Sequence, residues 1–505
     1  LRIDVPFFMT DLQSNDKVAA ETYRDGIKID VSKYPNAKPQ FSPRFGFNYK
    51  PFDDENGSLQ IRGGTGLFTG TPPYVWISNQ AGNNGVLFGD LNVRAVKDKN
   101  DNIISDGRPS LGFTGNMDTY KPAEGSATRS DIAITDPDFK YPSLWKSNIA
   151  ADYKFGDGWV ATVELLYSKD INAIYHDNIG LYRTEQFVND GGAGNARPYY
   201  NGYYSDREGN QKAANHVVML RNTSKGHSLY TTFQLQKNFV DGILKGLYLN
   251  GSYSFGQSRG VTDGTSSVAT SAWKYRAALD GNAEEVGYTA GSFDGRLLLS
   301  ASYTANWSKY AATSFGLIYQ RYRPFRYSYC YNGDANGDSQ FSNDLMYIPA
   351  NFDEVKDHLL PGDFDSQEDA WKAMNAFIEQ DPYLSKHRGE YAERNGAVAP
   401  FANQLDLSVS HDIKIYQKNG RSHTLRFSFN IANFLNLLNR NWGVVQTTVL
   451  GNQQYQFLTI PKGQGPSAAN NYTLKYTMAK DLDETFKDNL NDVSRWQMQF
   501  GIKYI

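Results

Sequence analysis

Several segments of the chain alternate apolar and polar residues over about nine to eleven positions, the pattern that most restricts the possible fold. In the last segment, one face carries Trp496, Met498, Phe500, Ile502 and Tyr504, and the residues between them are polar or small. Because successive side chains of a strand point to opposite faces, such a segment predicts a β-strand with one apolar face. A tilted strand of this length crosses a bilayer.

The same alternation recurs along the whole chain. Clear copies lie at 161–168, 247–255 and 425–432, and weaker ones lie near 40–50, 58–69, 145–155, 229–239, 297–305, 313–321 and 405–413. With the last segment and the opening fragment at residues 1–8, these make about a dozen strands, an even number as bacterial barrels prefer. The sequence therefore predicts an all-β protein with a transmembrane antiparallel β-barrel.

The connections between these segments alternate in length. Short turns rich in Gly, Asp and Asn lie at 53–57, 156–158, 241–242 and 418–420, whereas long polar stretches lie near 70–140, 180–215, 260–292, 330–400 and 438–492. Outer-membrane barrels have short periplasmic turns and long extracellular loops. A soluble β-sandwich has turn signals about every 8–12 residues at both ends. The pattern favours the barrel.

Composition agrees with this prediction. The mean hydropathy is −0.57, yet 14% of residues are aromatic, with 34 Tyr and 29 Phe. No apolar run reaches the roughly 18 residues of a membrane-spanning helix. In a barrel only every second residue of a strand meets lipid, and aromatic residues collect at both interfaces. The net charge of −3 indicates no nucleic-acid partner.

No motif predicts an enzyme. The seven His lack zinc-ligand spacing, and the single Cys, Cys330, excludes an intrachain disulfide framework. No nucleophile elbow or Walker A loop is present. The Gly-rich residues 63–66 fall inside a predicted strand, where Gly marks a bend or close approach more often than a phosphate site. Glu164 and Asp406 could act as an acid–base pair, but hydrated groups of a polar lumen are favoured.

One loop carries an acidic motif. Asp334, Asn336 and Asp338 stand at alternate positions, and Asp344 follows. Such spacing places hard oxygen ligands around a tight turn, as calcium loops do. Ser339 stands where Gly is expected, and Asp344 comes one position early for an EF-hand-like loop. Two alternatives stay open here: a structural Ca²⁺ site that stiffens the loop, and a solvated Asx-turn loop.

The loop at 330–400 also predicts a helix. Ser366 is its expected N-cap with Asp369 at the capping-box position, and Pro382 would end it. An apolar stripe at helical spacing consists of Trp371, Met374, Phe377 and Ile378. Packing of an ordered loop is favoured over a partner-binding face.

Two aromatic clusters are candidates for ligand binding. Tyr74, Trp76 and Asn79 combine ring faces with hydrogen-bonding groups, which suits sugars, peptides or aromatic chelates. The second cluster, at 321–329, alternates Arg with Tyr and Phe. For that cluster an interfacial aromatic girdle is favoured.

Several motifs resemble one family. They are QFSPRFGFN (40–48), IRGGTGLFTG (61–70), PYVWISNQ (73–80), YPSLWKSN (141–148), YSKDINAIY (167–175) and the stretch from Asn395 to Leu407, with PFANQLDL at 400–407. In this order they resemble the TonB-dependent outer-membrane receptors of the Oar-like group, common in Bacteroidetes, which carry an N-terminal carboxypeptidase-regulatory-like domain. The similarity is spread along nearly the whole chain.

The resemblance implies a 22-stranded barrel, a size whose lumen is plugged, that imports a glycan, peptide or metal chelate. It implies the TonB energy-transducing complex, outer-membrane lipid, a small ligand and a surface lipoprotein as partners. No plug or TonB box is found and residues 1–8 lack a signal peptide, so we expect residues 1–505 to be the C-terminal barrel portion, about the last dozen strands. The alternative is a surface interaction or scaffold barrel without transport. A passive porin is less favoured because the loops are long.

Overall fold

The computed structural model describes residues 1–55, 57–86, 96–97, 103–105, 115–116, 118, 130–192, 196–416, 422–450 and 454–505. Within them, the strands in chain order are β1 (Arg2–Asp4), β2 (Gln40–Ser42), β3 (Arg44–Asp54), β4 (Gly57–Thr69), β5 (Val96–Lys97), β6 (Ile103–Ser105), β7 (Ser130–Thr135), β8 (Ser143–Phe155), β9 (Trp159–Asp170), β10 (Ala173–Asn178), β11 (Leu181–Val188), β12 (Arg197–Tyr203), β13 (Ala214–Thr223), β14 (His227–Asn238), β15 (Leu247–Gly260), β16 (Gly287–Tyr288), β17 (Arg296–Ser308), β18 (Ala311–Tyr322), β19 (Arg326–Asn332), β20 (Tyr347–Ile348), β21 (Glu390–Tyr391), β22 (Ala397–Val398), β23 (Ala402–Tyr416), β24 (Ser422–Ala432), β25 (Gln446–Thr448), β26 (Gln454–Thr459), β27 (Thr477–Met478), β28 (Phe486–Asp488) and β29 (Gln497–Tyr504).

Helices are few and short. They are α1 (Asp16–Ala20), α2 (Tyr74–Gly82), α3 (Ala269–Lys274), α4 (Gln367–Gln380) and α5 (Phe434–Leu438), with 3-10 turns at Arg24–Gly26, Tyr204–Asp206, Phe352–Glu354, Leu384–Lys386, Ala468–Asn470 and Asp492–Ser494. In the part of the chain that the structure describes, no helix combines the length and apolar character needed to cross a bilayer.

Eleven long strands form one antiparallel sheet in which each strand pairs with the next long strand along the chain. The order is β3-β4-β8-β9-β14-β15-β17-β18-β23-β24-β29, and the two-residue β16 pairs with the end of β15 as the twelfth member. These eleven strands coincide with the eleven alternating segments after residue 39, so that prediction is confirmed. As far as the chain is described, β3 and β29 each pair on one side only.

Residues 1–8, interpreted as the end of a strand and counted as the twelfth, do contain a strand, but it does not belong to the large sheet. Only β1 is extended there, and it pairs with β2 rather than with the large sheet. Three residues are too few to span a bilayer. The chain after β1 instead packs among the long loops, where Val18 and Tyr23 are buried.

The two faces of the large sheet differ as predicted. In β14, Phe233 and Leu235 are exposed on the outer face. On the inner face, Gln234 donates a hydrogen bond to Asn250 of β15, with 2.7 Å between Nε2 and Oδ1. Polar side chains therefore find partners across the inner face, whereas apolar side chains on the outer face stay exposed among the described residues.

The short connections lie at one end of the sheet and the long ones at the other. Short turns join β3 to β4, β8 to β9 and β14 to β15 as predicted, and residues 309–310 add one between β17 and β18. The predicted turn at 418–420 lies outside the described residues. In the turn after β8, Gly158 has a φ of +80°, and a Cβ there would strike the Asn238 carbonyl oxygen, so glycine is required.

The long connections fold together into a second layer. This loop layer comprises the described parts of 1–39, 70–142, 171–226, 261–295, 323–401 and 433–496. Its largest core cluster draws buried side chains from separate connections, among them Val188, Tyr329, Phe377, Tyr455 and Leu474. Parallel pairing of β19 with β26 and of β7 with β13 ties these connections to one another. The main hydrophobic core therefore lies in the loop layer and not in the sheet.

The predicted loop helix is confirmed as α4. The Ser366 hydroxyl accepts a hydrogen bond from the Asp369 backbone N–H at 3.1 Å. Met374, Phe377 and Ile378 are buried in the loop-layer core, so the apolar stripe serves packing.

The girdle interpretation of the 321–329 cluster is wrong for its second half. Tyr327 and Tyr329 are 1% and 0% exposed and belong to the loop-layer core. The Tyr329 hydroxyl donates to Asp381 at 2.5 Å. The alternation of Arg and Tyr is the same in a girdle and in a buried strand, so sequence could not distinguish them.

We predict that Phe233→Arg destabilises the full-length protein by about 2–4 kcal/mol, because a charge in the middle of the outer face must enter the bilayer centre. The matched change Gln234→Arg faces the polar interior and should cost much less. Unfolding free energy in lipid vesicles would measure both. Equal losses for the two variants would contradict the assignment of faces.

Candidate functional site

The first predicted site lies on α2. The Trp76 indole Nε1 donates to the Ser266 carbonyl oxygen at 2.8 Å, and the Asn79 amide donates to the Ser267 carbonyl oxygen at 2.6 Å. Tyr74, by contrast, is 60% exposed. Trp76 and Asn79 thus fasten α2 to the connection after β15, and Tyr74 presents its ring to the surface.

The second predicted site, the acidic loop at 334–344, forms a network of Asx turns. Asp334 Oδ1 accepts hydrogen bonds from the backbone N–H groups of Asn336 (3.1 Å) and Gly337 (2.6 Å), and Oδ2 accepts from Ser339 (2.8 Å). Asn336 Oδ1 accepts from the Asp338 N–H at 2.9 Å. Ser339 has a φ of +66°, so the backbone takes the left-handed form for which glycine is the usual residue.

Arg197 ties the end of this loop to β12 and its neighbours. This fully buried guanidinium donates from Nε to Asp190 at 2.9 Å and from Nη1 to Asp344 at 3.0 Å, and Nη2 donates to the Leu345 carbonyl oxygen. Asp344 Oδ2 also accepts from the Ala335 N–H at 2.9 Å. Charge-assisted bonds of this kind are among the stronger interactions in proteins.

The loop holds more carboxyl groups than this one cation pairs with. Burial raises the pKa of Asp338 well above its usual value, and the neighbouring Asp344 and Asp334 carboxylates raise it further. Burial also raises the pKa of Asp344 to about 7, although the Arg197 guanidinium opposes that shift. The structure thus brings all four predicted ligand positions into one loop, whose burial disfavours several charged carboxylates without further cations.

A preformed metal site requires more than carboxyl groups in one loop: the ligand side chains must already be arranged around one point. Within the described ranges, no three His, Cys, Asp or Glu side chains are arranged to hold a metal ion. Both oxygens of Asp334 and both of Asp344 accept hydrogen bonds. Calcium binding by Asp334, Asn336, Asp338 and Asp344 therefore stays a prediction.

The inner face of the sheet carries ion pairs. Arg62 of β4 donates to Asp152 of β8 at 2.8 Å and lies 3.9 Å from Glu164 of β9. Asp406, on β23, accepts from the Asn433 N–H at 2.8 Å. Four strands separate β9 from β23, so the structure does not bring Glu164 and Asp406 together as an acid–base pair.

Sequence reasoning missed a polar cavity in the loop layer. It has a volume of about 600 Å³, and its lining includes Asp263, Tyr275, Arg276, Phe341 and Arg394. These residues come from two connections far apart in the chain. No local motif marks them, because the cavity exists only once the connections have packed together.

The loop layer contains the cavity, the acidic loop and α2. The sheet that it joins has an apolar outer face and a polar inner face. A family described as outer membrane beta barrel domain has a sequence profile that matches residues 8–467. The chain belongs to this outer-membrane β-barrel family. Its apolar outer face therefore meets lipid in the outer membrane, and its polar inner face lines the lumen.

Solved structures of outer-membrane receptors resemble the chain weakly. Two mutants of the ferric enterobactin receptor from Pseudomonas aeruginosa show 10% and 8% identity over 82% and 92% of this chain, with TM-scores of 0.36 and 0.37. The FrpB iron transporter from Neisseria meningitidis shows 7% identity over 77% of it, with a TM-score of 0.28. The chain spans only 36–40% of those proteins' lengths. No curated protein matches its sequence.

We predict that Arg197→Met destabilises the loop layer of this barrel protein by about 3–5 kcal/mol, because it leaves Asp190 and Asp344 buried without their cation. The control is Lys356→Met, which removes an exposed ion pair with Asp353 at 3.3 Å and should cost less than about 1 kcal/mol. Denaturant titration followed by protease resistance of the loops would measure both. Similar losses in the two variants would contradict the structural role of Arg197.

Proposed function

We propose that the chain is the barrel portion of a TonB-dependent receptor that imports a glycan, peptide or metal chelate across the outer membrane. The observation that carries this proposal is the loop layer, which has a buried core of its own and joins the strands at one end of the sheet. The motifs that resemble TonB-dependent receptors support it independently, because they are spread along the same strands and loops.

An ordered loop layer favours selective capture over passive flow. Fixing each residue costs about 1–2 kcal/mol of conformational entropy, and a simple pore gains nothing from ordering hundreds of loop residues. A binding surface gains preorganisation, since rigid groups lose less freedom when a ligand binds. In the proposed cycle, ligand binds the loop layer, TonB pulls on a plug, and the ligand passes along the polar lumen past Arg62 and Asp152.

We also propose a role in ligand binding for the predicted residues on α2. Tyr74 is the one with an exposed ring, so it would touch the ligand. Trp76 and Asn79 would act by holding α2 against residues 266–267. A surface lipoprotein that delivers the ligand would contact the loop layer on the side where Tyr74 is exposed.

The second candidate is a surface interaction or scaffold barrel without transport, which the exposed loop layer also suits. Growth on a panel of single peptides, glycans and metal chelates separates the two. We predict one nutrient on which growth is lost when either the full-length gene or TonB is deleted, and restored by the gene in trans. Growth that survives loss of TonB on every nutrient requiring the gene would rule out energised import.

We further propose that the acidic loop takes up a structural Ca²⁺. The support is its cluster of buried carboxyl groups, since Asp338 and Asp344 are 1% and 0% exposed and, among the described residues, Arg197 pairs with Asp344 but not with Asp338. Buried carboxylates are usually paired or bound to metal. Because no preformed site exists in the described chain, we expect an affinity in the range of extracellular modules, about 10⁻⁴–10⁻³ M.

Limited proteolysis of the full-length protein across a Ca²⁺ titration tests this proposal. We predict that millimolar Ca²⁺ slows cleavage within 333–345 and that a chelator reverses the effect. Asp338→Asn, which keeps the shape and removes a ligand charge, should weaken the response at least tenfold. Cleavage that is unaffected by Ca²⁺, or protection that Asp338→Asn leaves unchanged, would exclude the site.

A further inference from the structure

The polar cavity of the loop layer contains two cations with unused hydrogen-bonding capacity. Arg276 and Arg394 line it and are 6% and 3% exposed. The Nε–H group of each is buried and has no hydrogen-bond partner among the described residues. Buried polar groups are nearly always satisfied, so each such exception needs a cause.

The remaining nitrogens of both arginines contact only backbone carbonyl groups. Arg276 donates to Val261 at 3.3 Å, to Ala283 at 3.0 Å and to Gly281. Arg394 donates to Gly287 at 3.4 Å and to the carbonyls of Val261 and Gly260. Neutral carbonyls hold these guanidiniums in place but do not neutralise their charge.

Among the described residues, neither arginine donates a hydrogen bond to a carboxylate, and the carboxylates around them accept from other groups. Glu285 accepts from the Leu279 N–H at 2.9 Å, and Asp280 accepts from the Tyr200 hydroxyl at 2.7 Å. Asp263, which lines the cavity, accepts from the Ala290 N–H at 2.8 Å and from the Asn395 amide at 2.8 Å. With two guanidiniums and one carboxylate, the cavity lining is left with a net positive charge.

A nearby arginine shows what a purely structural guanidinium looks like in this layer. Arg326 is also buried, at 8% exposure. Its Nε donates to the Ser292 carbonyl at 2.7 Å, Nη1 donates to the Asn395 carbonyl at 3.1 Å, and Nη2 lies 3.6 Å from the Asp294 carboxylate. Each of its nitrogens has a partner, unlike those of Arg276 and Arg394.

The rim of the cavity is aromatic. Tyr275 and Phe341 line it and are 56% and 69% exposed. Two large exposed rings beside buried cations suit a ligand that joins an apolar group to an anion. A volume of about 600 Å³ accommodates a small molecule or the end of a short peptide.

We propose that this cavity binds a carboxylate that carries a neighbouring apolar group, with the carboxylate against the guanidinium groups of Arg276 and Arg394 and the apolar group against Tyr275 and Phe341. The carboxylate could belong to a free organic acid or to the C-terminus of a short peptide. This inference rests on the proposed receptor function and defines the cargo of the loop layer.

Calorimetry on the full-length protein in detergent tests the proposal. The probes are N-acetylphenylalanine and Gly-Gly-Phe, each compared with its C-terminal amide, and inorganic phosphate. We expect at least one acid to bind at least tenfold more tightly than its amide, because charged hydrogen bonds to a buried guanidinium are lost in the amide. The probe showing the preference identifies the source of the carboxylate. Equal binding of acid and amide, no binding of any probe, or binding of phosphate alone would overturn the proposal.

Matched variants locate the binding. Arg276→Gln and Arg394→Gln should reduce the preference for acid over amide at least tenfold, whereas Arg326→Gln should retain it. Tyr275→Ala, at an exposed position, should weaken acid and amide alike without affecting the fold. A preference that survives both cavity variants would place the anion elsewhere and refute the assignment. If binding fails while TonB-dependent growth persists, the cavity assignment is wrong and import stands. If the cavity binds as predicted but growth does not depend on TonB, import is excluded and the cavity assignment stands.

Discussion

Backbone hydrogen bonding in a lipid environment is the constraint from which this architecture follows. A strand in a bilayer has no water to satisfy its N–H and C=O groups, so each one must pair with a neighbouring strand. Within the described residues, the nine long strands from β4 to β24 meet this requirement by pairing on both sides with their neighbours along the chain, and β3 and β29 pair on one side. Pairing consecutive strands in this manner leaves only turns or loops as connections.

The same constraint moves the hydrophobic core away from the sheet. Side chains such as Phe233 and Leu235 are committed to lipid, and those between them, such as Gln234, to the lumen. Neither face can then pack against a second protein layer, as it would in a soluble sandwich. Burial of apolar groups from water is instead concentrated in the loop layer, where Tyr329, Phe377 and Tyr455 pack together.

The sequence therefore predicts the membrane part far better than the site. Strand alternation is a local signal, and the cap of α4 at Ser366 is equally local. The loop-layer core depends on contacts between distant residues, as when Arg197 reaches Asp344 across 147 positions. Arg276 and Arg394 have no local signature at all. The acidic loop is intermediate, because spacing predicts its turn and the strained Ser339, while its burial and its pairing with Arg197 come from the fold.

The buried arginines of the loop layer are of two kinds, which differ in their hydrogen-bond partners. Arg197 and Arg326 have a partner at every nitrogen, one of them a carboxylate, and hold connections together. Arg276 and Arg394 are held by backbone carbonyl oxygens alone among the described residues, and the Nε–H of each is unpaired. A donor that is fixed, buried and unpaired loses little entropy on binding and gains a full charged hydrogen bond. The ordering of the loops is thus what makes these two groups available to a ligand.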